Sequence, residues 1–253
     1  MKQQLLALLT ITLIISSCSK KEKDPPKLVY TIDKTEVSMK YDKSHQYVIK
    51  EGSTEIDASK VKFTSSNEVV GTIDQDGLFD AKRIGSTTIK AEGAGFSLTS
   101  VITVEPYSNL CKEPYYVLGI GKAAVKTQES RMLLDETATG LVYKGENTKV
   151  RTIIYLFEGS GLNSAAILFQ NNTSVIEESV KFFSERYEYQ GESDDVYFFA
   201  NKDVLIGVSD HVDLGFNAIY LKNTTGKTSF KNLDEVKSMY LKARKFPQLI
   251  RNN

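Results

Sequence analysis

The sequence predicts two folded domains, an antiparallel β sandwich over residues 28–106 and an α+β domain over residues 107–253. The first prediction rests on short β-like runs separated by turn residues, since about seven such runs fit a two-sheet sandwich. The second rests on apolar residues at helical spacing, which alternate with β-like runs beyond Pro106. We therefore expect helices to cover one face of an antiparallel sheet.

The N-terminal residues have the pattern of a secretory signal. Lys2 supplies a positive charge, and residues 5–15 form an apolar run that is interrupted only by threonines and is too short to span a bilayer. Residues 15–18 read Ile-Ser-Ser-Cys and resemble the lipobox of bacterial lipoproteins. The resemblance implies removal of residues 1–17 as a signal peptide and lipidation of Cys18. The alternative is an ordinary secretory peptide with a chance cysteine.

Residues 18–27 are charged, contain two prolines and lack apolar side chains after the cysteine. Such a composition is typical of a flexible tether. Two or more acyl chains give stable membrane anchoring. The membrane is thus the predicted partner of Cys18, and the predicted location is the bacterial cell envelope, with the outer membrane favoured over other membranes.

Charge and cysteine content exclude several classes of protein. Lys+Arg and Asp+Glu both number 32, so no net positive field favours nucleic acid as a partner. With Cys18 assigned to lipid, Cys111 has no partner for an internal disulfide. Packing alone must then hold both domains together.

The first domain is predicted from its strands and turns. Asp76-Gly77 separates two β-like runs and predicts a hairpin, because glycine adopts the positive φ that such a turn requires. The candidate strands are residues 29–32, 36–39, 47–49, 61–64, 87–91 and 98–104.

Three consecutive segments, residues 61–74, 75–81 and 85–91, resemble the signature of the group 2 bacterial immunoglobulin-like domain. Phe63 stands where the family usually has tryptophan, and Gly71 stands where it usually has alanine. The resemblance implies an Ig-like sandwich. It also implies a spacer or an adhesive module at the cell envelope, and a single copy beside a tether favours the spacer.

The second domain is predicted to contain three helices and seven strands, and its sequence resembles no family that we can name. The helices are expected over residues 125–135, 173–187 and 233–244. The strands are expected over residues 115–120, 140–143, 150–157, 165–169, 196–200, 204–208 and 217–221. Residues 143–147 and 189–193 echo each other, and each follows a predicted helix and precedes a hairpin. This echo suggests an internal repeat, although a chance match of five residues is the alternative.

No catalytic constellation stands out in the second domain, and no cofactor or metal site is predicted. Asp210 and His211 form the best candidate for a catalytic or metal-binding pair, but no second histidine supports them. Cys111 with His211 is a further candidate, as a thiol dyad. A solvated loop and a buried, inert thiol are the favoured interpretations of these residues.

Aromatic residues give the remaining signal, with 13 tyrosines, 12 phenylalanines and no tryptophan in the chain. A tyrosine on the outer side of a strand suits a sugar or a protein partner, whereas its neighbour on the inner side belongs to the core. The candidate ligand-binding residues are Tyr115, Tyr116, Tyr143, Tyr189 and Tyr197.

The predicted function is therefore a membrane-anchored envelope lipoprotein in which an Ig-like spacer presents the second domain to a glycan or protein ligand. One alternative is an enzyme that acts on an envelope or extracellular polymer, with Cys111, Asp210 or His211 in its site. Another is a structural subunit of a surface assembly. Binding is favoured over catalysis.

Overall fold

A computed structural model describes residues 28–230 and 232–243. The predicted signal peptide, the predicted lipidation site Cys18 and the predicted tether lie outside the described residues. The described part of the chain forms two β-rich domains, which follow one another at Pro106.

The first domain consists of ten strands and a short 3₁₀ helix at Ala58–Lys60. Its strands are β1 (Tyr30–Ile32), β2 (Glu36–Lys40), β3 (Ser44–Gln46), β4 (Ile49–Glu51), β5 (Thr54–Glu55), β6 (Lys62–Ser65), β7 (Gly71–Ile73), β8 (Leu78–Ala81), β9 (Gly85–Gly93) and β10 (Phe96–Glu105). They form a four-stranded sheet in the order β2-β10-β9-β6 and two three-stranded sheets, β1-β4-β5 and β3-β8-β7. The predicted all-β sandwich is confirmed.

The predicted hairpin at Asp76-Gly77 is also present. Strands β7 and β8 pair in antiparallel register on either side of the turn, and Gly77 has a φ of 82°. The carboxylate of Asp74 accepts hydrogen bonds from the backbone N–H groups of Asp76 and Leu78, at 3.0 and 2.8 Å. Local hydrogen bonding of this kind favours the turn, and Gln46 and Tyr47 add hydrogen bonds to the carbonyls of Asp76 and Gly77.

The second domain is built on one eight-stranded antiparallel sheet. Its strands are β11 (Leu133–Glu136), β12 (Gly140–Lys144), β13 (Val150–Glu158), β14 (Gly161–Phe169), β15 (Glu188–Ser193), β16 (Val196–Ala200), β17 (Val204–His211) and β18 (Gly215–Lys222). Their order in the sheet is β11-β12-β13-β14-β18-β17-β16-β15. The described helices are α1 (Lys122–Gln128), α2 (Thr173–Ser184) and α3 (Leu233–Ala243).

The predicted α+β class is right only in part, because the domain is mostly sheet and its helices lie on both faces. Val125 of α1 and Phe182 of α2 belong to the core on one side, which we call the first face. Val236 and Tyr240 of α3 belong to the core on the opposite side, the second face. The expectation of helices on a single face is therefore wrong.

Two predicted elements of this domain differ from the structure. Residues 115–120 do not form a strand; they belong to an irregular segment, residues 107–121, that runs over the first face. The helix predicted over residues 125–135 is shorter and earlier, since α1 ends at Gln128 and β11 begins at Leu133. A short run of apolar residues does not by itself distinguish a strand, a helix and an irregular segment that packs on a core.

The order of helices and strands contains a repeat, although the similar segments 143–147 and 189–193 do not occupy equivalent positions in it. A helix followed by a four-stranded meander occurs twice, as α1 with β11–β14 and as α2 with β15–β18, and the two meanders join through the pairing of β14 with β18. Tyr143 lies in the second strand of the first meander, whereas Tyr189 lies in the first strand of the second. The echoed residues thus occupy positions that do not correspond.

The two domains are held against each other by residues around the end of α2. The buried carboxylate of Glu185 accepts hydrogen bonds from the backbone N–H groups of Tyr107 and Ser108, at 2.8 and 3.2 Å. The backbone carbonyl of Glu185 accepts a third, from the N–H of Ile84 in the first domain, at 2.9 Å. Arg83 and Glu188 form an ion pair across the same boundary.

We expect Glu185→Ala to lower the free energy of unfolding by about 2–3 kcal/mol, because it leaves the buried N–H of Ser108 and the partly buried N–H of Tyr107 without their acceptor. Urea denaturation measures this change. Glu177→Ala is the matched control, since Glu177 is an exposed carboxylate of the same helix and its loss should cost no more than about 0.5 kcal/mol. Equal effects of the two substitutions would contradict the role of Glu185.

Candidate binding surface

The five candidate tyrosines occupy three different environments. Tyr143 is buried on β12 and meets Tyr155 edge to face, with ring centroids 5.8 Å apart. Burial raises the pKa of Tyr143, with smaller contributions from the carboxylates of Glu129 and Glu136. Tyr143 is therefore a core residue, and the structure removes it from the candidate binding surface.

Tyr115 and Tyr116 lie in the irregular segment over the first face. The N–H of Tyr115 donates a hydrogen bond to the hydroxyl of Tyr155 at 2.9 Å, and its own side chain is 38% exposed. The hydroxyl of Tyr116 donates to the carbonyl of Asn163 at 2.9 Å, and its ring packs against the core. Burial raises the pKa of Tyr116. Tyr116 fixes the segment on the sheet, and Tyr115 leaves part of its ring accessible.

A buried ionic network, which the sequence did not indicate, holds the same segment in place. The guanidinium of Arg131 contacts the carboxylates of Glu129 and Glu146, each at 2.7 Å, and it also donates to the carbonyl of Lys112. The hydroxyl of Tyr155 donates to Glu129 at 2.6 Å. Arg131 and Glu129 are almost completely buried, so each charge depends on its partner. The charges in this network pair with one another, and the network attaches the irregular segment, residues 107–121, to the sheet.

Tyr189 and Tyr197 form an exposed pair at the far edge of the sheet. They lie on neighbouring strands β15 and β16, and their side chains are 50% and 40% exposed. Glu192 is the cross-strand partner of Tyr197, so its exposed carboxylate lies on the same face. Partial desolvation raises the pKa of Tyr189, and Glu192 and Tyr197 raise it further. We call these three residues the tyrosine patch.

The hairpin beside the tyrosine patch has an acidic and conformationally restricted tip. Asp194 and Asp195 both have positive φ, 51° and 60°, in the two-residue turn between Ser193 and Val196. Such a turn matches the twist of the strands, although asparagine and glycine adopt it more readily than aspartate. Asp194 also forms an ion pair with Lys237 of α3, which ties the hairpin to the second face. The patch thus lies on a hairpin that contacts α3 through its turn.

Two clefts lie elsewhere on the surface, and neither is lined by the residues of the tyrosine patch. One of about 480 Å³ lies beside the irregular segment, and its lining includes Val117, Leu118, Lys202 and Lys222. The other, of about 260 Å³, lies between the domains and includes the paired Arg83 and Glu188. The larger cleft contains Tyr116 of the candidate residues, and neither contains Cys111, Asp210 or His211.

Cys111 and His211 have different surroundings. Burial raises the pKa of the Cys111 thiol far above its usual value, and the nearby carboxylates of Glu146 and Glu113 add to the effect. A thiol with a raised pKa is a poor nucleophile at neutral pH. His211 lies at the end of β17, where its Nδ1 accepts a hydrogen bond from the N–H of Asp213 at 3.1 Å. These surroundings give no support to a thiol dyad.

Asp210 is engaged in a contact of its own, since its carboxylate accepts a hydrogen bond from the side chain of Asn171 at 2.7 Å. Over residues 28–230 and 232–243, no three His, Cys, Asp or Glu side chains are grouped so that they could hold a metal ion. None of the helices in this described part is both long and apolar enough to cross a membrane.

Comparison with known proteins identifies the first domain. Residues 29–95 match the family model described as bacterial Ig-like domain (group 2), and no family match covers the C-terminal half. The resemblance inferred from the sequence is thus confirmed for this segment. No curated protein sequence matches the chain.

Two solved structures show weak similarity to the chain. One is of domains 4–9 of surface layer protein SbsC, with 13% identity over 79% of this chain and a TM-score of 0.27. The other is of domains 5–6 of the S-layer protein SbsC, with 12% identity over 79% of this chain and a TM-score of 0.26. The chain spans 27% of the first structure and 87% of the second. Neither TM-score indicates a shared overall architecture.

Proposed function

We propose that this chain is a lipid-anchored protein of the bacterial cell envelope whose second domain binds a glycan at the tyrosine patch. The observation that carries the proposal is the pair of exposed rings, Tyr189 and Tyr197, beside the carboxylate of Glu192 on one face of a hairpin. The Ig-like domain acts as the spacer between this surface and the membrane.

The chemistry of the patch suits a sugar. A tyrosine ring offers an apolar face to the C–H groups of a sugar ring, and its hydroxyl forms hydrogen bonds at the edge. The carboxylate of Glu192 accepts hydrogen bonds from sugar hydroxyls. The two rings and the carboxylate are exposed on the face of the sheet, so a sugar chain can lie across them there. A protein partner would have to bury a much larger area around these three residues.

An enzyme acting on an envelope polymer, the alternative from the sequence, has less support. Cys111 is held as a thiol among carboxylates, and neither cleft contains His211 or Asp210. A structural subunit of an assembly is the other alternative. A loop covers one edge strand of the sheet, β15. The side-chain amide of Gln190 on this strand donates a hydrogen bond to the carbonyl of Thr228 and accepts one from the N–H of Phe230. A covered edge disfavours strand-to-strand assembly there.

We expect Tyr189→Ala and Tyr197→Ala each to weaken glycan binding on the order of tenfold, since a buried aromatic contact contributes about 1–2 kcal/mol. The probes are a panel of bacterial polysaccharides and peptidoglycan fragments, with affinity measured by calorimetry. Tyr115→Ala is the matched control, because Tyr115 is similarly exposed but lies outside the patch. Circular dichroism checks that each variant is folded. No binding to any probe, or equal losses in all three variants, would contradict the proposal.

The anchor is tested separately. Cys18→Ala should abolish acylation and move the protein from the membrane fraction to the soluble fraction, because the thiol is the site of lipid attachment in the proposal. Metabolic labelling with a fatty acid measures acylation directly, and Cys111→Ala serves as the control that keeps the label. A wild-type chain that incorporates no fatty acid is not a lipoprotein, whatever the patch binds.

A further inference from the structure

The edge hairpin that carries the tyrosine patch, residues 188–200, has an excess of negative charge. It contains four carboxylates and no lysine or arginine. The carboxylates belong to Glu188, Glu192, Asp194 and Asp195. Arg83 of the first domain neutralises Glu188, and Lys237 of α3 neutralises Asp194. Within the described residues, Glu192 and Asp195 form no ion pair, so the hairpin keeps a negative charge beside the patch.

The carboxylate of Glu192 lies beside the two exposed rings of the patch. Tyr197 is its cross-strand neighbour, and Tyr189 lies further along the same strand. Partial burial raises the pKa of Tyr189, and the charge of Glu192 is the next contribution, so the field of the carboxylate reaches this ring. The face of an aromatic ring attracts cations. The rings and the carboxylate therefore favour a ligand of the same charge.

Helix α2 supplies an apolar wall beside the patch. Ile176, Val180 and Phe183 lie along one side of the helix, because they follow one another at spacings of four and three residues. The ring of Phe183 lies 5.6 Å from that of Phe199 on β16, which in turn lies 5.4 Å from that of Tyr189. This side of α2 thus faces the edge hairpin, and Ile176 and Val180 are 37% and 44% exposed there. Apolar walls strengthen the attraction between a nearby charge and its counterion.

The basic side chains in and beside α2 are occupied elsewhere. The helix contains one lysine, Lys181, whose Nζ lies over the ring of Tyr107, 5.6 Å from its centroid. Arg186, just beyond the helix, stacks on Phe182 and contacts the carboxylates of Glu113 and Glu185. Neither cation is available to neutralise the patch.

We propose that the glycan bound at the tyrosine patch carries a free amino group, whose ammonium form contacts the rings of Tyr189 and Tyr197 and pairs with the carboxylate of Glu192. This inference rests on the glycan site of the proposed function and adds the charge of the ligand. An ammonium group is attracted to a ring face within about 6 Å of the centroid, and Glu192 supplies the opposite charge. A uronate or phosphate group would be repelled by the same carboxylate.

The test compares tetrasaccharides of glucosamine, N-acetylglucosamine and galacturonate, which differ in charge at equal length. We expect the glucosamine tetramer to bind to the full chain about fivefold more tightly than the acetylated tetramer, and the galacturonate tetramer to bind most weakly. The affinity for the glucosamine tetramer should fall as salt is added, because salt screens exposed charges. Calorimetry measures all three affinities.

Glu192→Gln removes the charge and keeps the shape of the side chain. It should weaken binding of the glucosamine tetramer about fivefold and change binding of the acetylated tetramer by less than about twofold. Glu55→Gln is the matched control, since it removes an equal charge from an exposed strand of the first domain and should leave both affinities unchanged. Tyr189→Ala should weaken both tetramers, because each stacks on the ring.

The outcomes separate this inference from the glycan site itself. If the acetylated or the galacturonate tetramer binds as tightly as the glucosamine tetramer and Tyr189→Ala still weakens it, the glycan site stands and the preference for an amine is refuted. An unchanged affinity in Glu192→Gln refutes it as well. If no tetramer binds, the inference is wrong, whereas the glycan site fails only if the wider panel of polysaccharides does not bind either. A lysine-rich peptide that binds through Glu192 in place of the glucosamine tetramer would identify a protein as the partner and overturn the inference.

Discussion

The arrangement of the two domains depends on residues around Glu185, because its carboxylate fixes the first residues of the second domain, and its backbone carbonyl and the Arg83–Glu188 pair contact the first domain. Glu185 follows α2, a helix whose Phe182 and Phe183 are anchored in the core of the second domain. Its two oxygens accept hydrogen bonds from the first two residues beyond Pro106, while its carbonyl bonds to the first domain. A charge taken so completely out of water is tolerated only with such partners. The residues that directly follow Pro106 are therefore held in place by hydrogen bonds to Glu185.

The rest of the second domain follows from the pairing of two similar meanders. Because β14 joins β18 at the centre, the first strand of each meander becomes an edge of the sheet. Strand β15 begins beside the domain boundary, where Glu188 meets Arg83, and ends at the acidic turn. The edge carries the tyrosine patch on the first face and is tied to α3 on the second. The proposed ligand surface is thus placed on the edge hairpin, between the domain boundary and α3.

Features encoded by neighbouring residues were predictable, and those that depend on distant contacts were not. The turn at Asp76-Gly77 is favoured by its own glycine and by the neighbouring Asp74, and the sandwich around it was predicted from the sequence. The amphipathic pattern of α3 shows that one side is apolar, but not which face of the sheet it covers. Tyr143 and Tyr189 look alike in sequence, and only strand order makes one a core residue and the other a surface residue. Residues 115–120 are held by side chains from elsewhere, which no local pattern reveals.

The most direct test of this account is whether the two domains tumble in solution as one body. Residual dipolar couplings, measured by NMR for backbone N–H groups of both domains in a weakly aligning medium, report the orientation of each domain. The account predicts one alignment tensor that fits residues 28–106 and 107–230 together, because Glu185 and the Arg83–Glu188 pair fix the boundary. Two tensors of different magnitude or direction would show that the domains move independently, and would contradict the role given to Glu185.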